Sequence, residues 1–154
     1  MKKLVIDEFD KLSIQDQEEI QDFIAGYTPD FEIIENNGLI YFVDGAGFNG
    51  QLSKICIAKS YADYDFTYFT DNYTNNEIEY LAIIKCMQKR DFKKNSIIYS
   101  DSLLCVNQLN GKYKVKNERL IHYYDIAKKL KDSKNATIEW ISREKNIAGK
   151  LLEK

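Results

Sequence analysis

The stretch LIYFVDGAGFNG, residues 39–50, limits the fold more than any other part of the chain. Leu39-Ile40-Tyr41-Phe42-Val43 is an unbroken run of β-branched and aromatic side chains, the pattern of a strand buried in a sheet. Asp44 and Gly45 follow at once, so the strand is expected to end there in a tight turn, with glycine supplying a positive φ. An aspartate before a glycine is ordinary turn chemistry when it stands alone. The end of a buried strand in a mixed sheet is also where binding sites form. Partners elsewhere in the chain decide between these readings.

Downstream, Leu52, Ile55 and Ile57 predict a second strand in LSKICIAKS, and DFTYFT at 65–70 predicts a third. Their short connections make them antiparallel neighbours. Residues 74–90 change to a helical period, with Ile78, Leu81, Ala82, Ile83, Ile84 and Met87 as the apolar set. SIIYSD at 96–101 is a short buried strand that again ends in a carboxylate. A helix at 103–109, a break at Gly111, a helix from Asn117 to about Lys131, a strand at 137–141 and a short helix after Asn146 complete the order βββαβααβα. That order specifies an α/β domain.

Upstream, Ser13 followed by Asp16 resembles a helix cap, and Ile20, Phe23 and Ile24 recur at helical spacing until Gly26. Residues 14–25 are therefore expected to form an acidic amphipathic helix. Pro29 breaks the chain before FEIIENNG, which has a hairpin-forming Asn37-Gly38 and so offers residues 31–35 as a partner for 39–43. Charge divides at the same place. Residues 1–36 carry three Lys and ten Asp or Glu, a net −7, and residues 37–154 carry nineteen Lys or Arg and fourteen Asp or Glu, a net +5. The mildly basic remainder suits a phosphate-binding domain, although solvated lysine faces are common. Cys56, Cys86 and Cys105 sit in apolar segments without metal-ligand spacing and are expected to be reduced core residues. No run of about 18 apolar residues appears, so a cytoplasmic protein with no membrane association is expected.

Glu79 has Ala82, Ile83 and Cys86 three, four and seven positions on, so it lies on the core-facing stripe of its helix. A carboxylate buried there must be neutral, paired with a cation or bound to a metal. Asp44 and Asp101 end two buried strands, neither of which contains Lys or Arg. Taken singly, Asp44 reads as a turn residue, Asp101 as the cap of the helix beginning at Ser102, and Glu79 as the rim of the apolar stripe. Taken together, three like charges call for a divalent ion, and oxygen-only ligands select a hard one such as Mg²⁺ or Mn²⁺.

VDGAG at 43–47, TNNEIE at 74–79 and YSDS at 99–102 resemble, in this order, the three acidic motifs of type I ribonuclease H. The resemblance spans residues 39–152. It implies a ribonuclease H-like domain at 37–154, with a five-stranded mixed sheet in spatial order 3-2-1-4-5 flanked by helices, and an N-terminal helical extension at 1–36. Because the first strand of that sheet has neighbours on both sides, residues 31–35 become a linker or short extension rather than a hairpin arm. The resemblance implies that Asp44, Glu79 and Asp101 hold two Mg²⁺ or Mn²⁺ ions about 3.5–4 Å apart at the scissile phosphate. The implied activity is divalent-metal-dependent endonucleolytic hydrolysis of the RNA strand of RNA–DNA hybrids. Gly45 would let the backbone approach substrate, and Asn75 and Asn76 would read the minor groove and its 2′-hydroxyls, with helix capping as their alternative role. Ser102 and Asn107 are expected as further contacts.

Two positions depart from the family. Its fourth carboxylate falls in a stretch like N-x-x-A-D, where REKNIAGKLLE has Gly149, with Glu153 one turn further on. Its mobile histidine falls in a loop that here reads Ser142-Arg143-Glu144-Lys145, leaving Arg143 or Lys145 for product release. His122, the one histidine, is expected to be packed or on the surface. The rival reading is a non-cleaving RNA- or hybrid-binding protein of the same fold, or a related nuclease with another nucleic-acid substrate. Lys112, Lys114, Lys116 and Arg119, and Lys89, Arg90, Lys93 and Lys94, are two basic clusters suited to DNA-strand phosphates, alternatively plain solvated surface. No hybrid-binding domain or inserted basic protrusion is expected. Trp140 is assigned to the core. A monomer is expected, with the N-terminal helix packing on the catalytic domain or docking a protein partner.

Overall fold

The computed structural model describes residues 2–7, 31–36 and 38–153, with side chains from Gly38 onward. The expected helix at 14–25 lies outside the described residues. The chain forms two compact units, Met1–Gly38 and Leu39–Lys154. In the first, strand β1 (Lys2–Asp7) pairs in parallel with β2 (Phe31–Asn36), from Lys2 opposite Phe31 to Asp7 opposite Asn36. Residues 31–35, expected as a linker or short extension, are thus part of a strand. A parallel partner requires a long return, which residues 8–30 are long enough to provide, and the β-branched pair Ile33-Ile34 suits a strand.

The second unit contains β3 (Ile40–Ala46), β4 (Ser53–Ser60), β5 (Asp63–Phe69), α1 (Asn75–Gln88), β6 (Ile97–Ser100), α2 (Leu103–Leu109), α3 (Glu118–Lys134), β7 (Thr137–Trp140), a 3-10 turn (Arg143–Lys145) and α4 (Ile147–Leu152). Its sheet has the order β5-β4-β3-β6-β7, with β4 antiparallel to both β3 and β5, and β6 parallel to both β3 and β7. Counted within the unit this is 3-2-1-4-5, the ribonuclease H arrangement, with the strand carrying Asp44 at its centre.

Alternation along the central strands builds two cores. Tyr41, Val43, Ile55 and Ile57 join Ile78, Ala82, Ile83 and Met87 of α1, with Leu120 and Ala127 of α3 behind them. Cys56 and Ala58 point the other way, onto Ala148, Leu151 and Leu152 of α4. The three cysteines are free and buried. At one edge, β5 exposes Tyr64, Phe66 and Tyr68 as a row with ring centroids 5.4 and 6.3 Å apart. At the other, Trp140 is 49 % exposed, which corrects its assignment to the core. It is the last residue of a four-residue edge strand, and its indole N–H donates to the Asp101 carbonyl.

Asp44 does not end its strand in a turn. β3 continues through Gly45 and Ala46, with Asp44 opposite Cys56 and Gly45 opposite Ile55. On the β6 side pairing stops one residue earlier, at Val43 opposite Ser100. The antiparallel ladder thus carries β3 beyond its parallel neighbour, which is why an apolar run closed by Asp-Gly looked like a finished strand. Gly45 has no positive φ. A Cβ there would lie 2.9 Å from the Ile78 carbonyl oxygen, so glycine is needed to let α1 approach β3.

Candidate metal centre and active site

Three elements meet at Asp44. β3 presents Asp44 itself, α1 brings Glu79 from one side, and Asp101 follows the last residue of β6. One carboxylate oxygen from each of the three lies within 4.8 Å of the others. Asp44 is 6 % exposed, and Glu79 and Asp101 are half-buried. Among the described residues, no hydrogen-bond donor reaches the buried Glu79 Oε2. Burial first, then the neighbouring Asp101 charge, pushes the Asp44 carboxyl above its ordinary range. Burial, followed by the Asp44 and Asp101 charges, pushes Glu79 up in the same way. Crowded carboxylate oxygens with one buried acceptor left without a partner are what a hard divalent cation fits.

The capping chemistry around the site frees the residues that sequence left ambiguous. Thr74, not an asparagine, caps α1: its hydroxyl accepts from the Glu77 N–H at 3.2 Å while Glu77 Oε1 accepts from the Thr74 N–H at 3.0 Å. Asn75 and Asn76 follow as exposed residues of the first turn. The Asn75 amide oxygen occupies the space over Gly47, where a Cβ would come within 2.3 Å of it. Ser102 caps α2 by accepting from the Cys105 N–H, so Asp101 is not that cap and its carboxylate stays in the site. Asn107 lies within α2, half-buried, and its carbonyl accepts from the N–H groups of Lys112 and Tyr113.

The cleft over the carboxylates is lined by Asp44, Gly45, Gly47, Asn75 and Glu79 together with Arg143, Gly149, Leu152 and Glu153. Gly149 is pressed against the acids. A Cβ at this position would lie 3.0 Å from Asp44 Oδ2 and 3.6 Å from Asp101 Oδ2. Glu153 stands at the rim of the same cleft, 3.9 Å from the Lys150 ammonium. Arg143 is the cation among the cleft residues, and its charge opposes the upward shift of Asp44. His122 is exposed on α3 with its ring against Tyr123. Of the basic clusters, Arg119 is drawn to Glu77 at 2.9 Å and Lys89 to Asp65. Lys112, Lys114 and Lys116 are exposed.

One residue of the site was not singled out from sequence. Asn146 is completely buried and binds Asp101 Oδ2 at 3.0 Å. Its signal was an asparagine three positions ahead of Gly149, which reads as a helix cap and conceals the second use of its amide.

With this geometry, the relatives are informative. Residues 61–152, more than half of the chain, match the model of the reverse transcriptase-like family. Two solved structures of LC11 ribonuclease H1, isolated from compost by a metagenomic approach, superpose with TM-scores of 0.56 and 0.59 at 25% and 27% identity. They cover 70% and 75% of this chain and 87% and 92% of their own, and the first is in complex with an RNA/DNA hybrid. Ribonuclease H1 of the halophilic archaeon Halobacterium salinarum has a TM-score of 0.63 at 19% identity over 75% of this chain and 94% of its own, a likeness of fold. Sheet order, motif order and the family match agree: the chain belongs to the reverse transcriptase-like family and has the type I ribonuclease H fold.

Proposed function

We propose that this chain is a divalent-metal-dependent endonuclease that hydrolyses the RNA strand of RNA–DNA hybrids. The observation that carries the reading is Glu79 Oε2, an acceptor buried without a donor beside two aspartates whose oxygens lie within 4.8 Å. A fold with no use for an ion would be expected to place a donor there. Asp44, Glu79 and Asp101 would hold two Mg²⁺ or Mn²⁺ ions, which supply an activated water and stabilise the charge of the leaving 3′ oxygen.

The remaining roles belong to the chain's own groups. Thr74 leaves the side chains of Asn75, which lines the cleft, and of the exposed Asn76 to serve the 2′-hydroxyls and base edges of the minor groove. Gly45 and Gly47 line the same cleft, where their main chain would lie beside the substrate backbone. Arg143 lines the same cleft as Asp44 and Glu79, where a guanidinium can hold a phosphate oxygen. Lys112, Lys114 and Lys116 are placed by sequence beyond α2 and would follow the DNA-strand phosphates.

Gly149 favours a second reading, a hybrid-binding protein that does not cleave, because no acid stands where the family has its fourth. A labelled hybrid incubated with Mg²⁺ or Mn²⁺ separates the two. Cleavage by the wild type that is lost in Asp101→Asn supports the enzyme; binding without cleavage at high protein concentration supports the binder. Cleavage undiminished by Asp101→Asn would move the site elsewhere.

A further inference from the structure

Asn146 makes more bonds than a helix cap requires. Its Oδ1 accepts from the Ala148 N–H at 3.2 Å, which opens α4. Ser, Thr or Asp would do this equally well. Its Nδ2 donates twice, to the Val43 carbonyl oxygen at 3.0 Å and to Asp101 Oδ2 at 3.0 Å. The amide thereby uses both of its donor hydrogens. Only Asn offers this set of two donors and one acceptor on a side chain short enough to cap.

The two acceptors are informative. The Val43 carbonyl belongs to the peptide that leads into Asp44, and pairing between β3 and β6 stops at Val43–Ser100. Beyond that point the two strands no longer hold each other, and the next residue of each is a carboxylate of the site. The Asn146 amide replaces the missing rung. A planar, fully buried group ties the main chain ahead of Asp44 to the side chain of Asp101. Gly149, three residues along the same helix, contributes no side chain. The contribution of α4 to the carboxylate cluster is therefore a neutral amide rather than a charge.

We propose that Asn146 is a positioning residue that sets the orientation of the Asp101 carboxylate relative to Asp44, and with it the affinity and selectivity of the centre for divalent ions. The proposal rests on the metal-dependent reading above. With Oδ2 fixed by the amide N–H, Asp101 presents its second oxygen in one direction only. Partners that orient a ligand in this way typically change metal affinity or activity 10–100-fold when removed, and about tenfold is expected here. Mg²⁺ demands stricter geometry than Mn²⁺, so Mg²⁺-supported activity should fall further than Mn²⁺-supported activity.

The test is calorimetric titration of the folded protein with Mn²⁺, run well below the melting temperature, for wild type, Asn146→Ser and Asn146→Ala. Ser keeps the cap and loses both donors; Ala loses all three bonds. The expected result is an affinity about tenfold weaker in both variants, although Ser melts higher than Ala. A purely structural cap predicts that Asn146→Ser binds Mn²⁺ as the wild type does, and that result overturns the proposal. If Asn146→Ser does not fold, Asn146→Thr takes its place with the same two outcomes. Because binding is read without cleavage, a wild type that binds Mn²⁺ but leaves hybrids intact contradicts the enzyme reading and not this one. A wild type that does not bind Mn²⁺ overturns both.

Discussion

Glu77 and Glu79 lie two residues apart on α1 and meet opposite surroundings. Glu77 Oε1 accepts from the Thr74 N–H at 3.0 Å and from the Arg119 guanidinium at 2.9 Å. Burial pushes its carboxyl up, but the hydrogen bonds from Thr74 and Tyr123 and the Arg119 charge outweigh that and hold it below its ordinary range. Glu79 receives no donor at Oε2, faces two further acids, and is pushed up by burial and by those charges. The fold completes one glutamate and leaves the other incomplete. Glu77 is satisfied by its capping partner and by Arg119, whereas Glu79 keeps one buried oxygen without a partner among the described residues, beside two further acids.

The largest effect separating the two is on cleavage. Glu79→Gln should lower hydrolysis of a labelled hybrid by at least about 100-fold, since it removes a charge that acts on the reacting phosphate through the ions. Glu77→Gln should stay within a few-fold, because Gln keeps the capping box. Equal losses would erase the distinction.

Stability should sort them in the reverse direction. Glu77→Ala loses the cap partner and should cost about 1 kcal/mol in denaturant unfolding. Glu79→Gln should leave the metal-free protein unchanged or raise its stability by about 1 kcal/mol, because an amide sits beside Asp44 and Asp101 without having to take up a proton and supplies a donor.

The pH dependence of the metal-free protein follows from the two signs. Asp44 and Glu79 have folded-state values above their unfolded ones, so their contribution is complete below the ordinary carboxylate range and is lost as pH rises through the raised values. Glu77 is lowered, so its contribution is complete above the ordinary range and is lost as pH falls through its folded value. Thermal melts without metal should therefore be highest at weakly acidic pH, and Mn²⁺ should restore the loss on the neutral side. The smallest effect is that of Arg119→Ala. Its side chain is 65% exposed, and the pair with Glu77 should be worth no more than about 1 kcal/mol.

Much of this was legible in the sequence where local chemistry decides. TNNEIE marked the start of α1 and set Glu79 on its core-facing stripe, although the cap is Thr74 rather than an asparagine, and the hydrophobic patterns located the strands and α-helices of the second unit. The sheet order followed from the resemblance, but where each pairing begins and ends was not legible. The extent of β3 past Asp44 depends on how far β4 runs beside it, and the pairing of β1 with β2 joins residues far apart in the chain. The second use of Asn146 depends on the pairing between β3 and β6 ending one residue short of Asp44 and Asp101. Trp140 reads as core by composition, and only its place at the end of an edge strand exposes it.

The most direct test of the account is the number and strength of Mn²⁺ ions bound by the wild type and by Glu79→Gln, measured by calorimetry with Glu77→Gln as the control. The account predicts binding to the wild type and to Glu77→Gln, and a loss of at least about tenfold in affinity in Glu79→Gln. Equal affinity in all three proteins would contradict it.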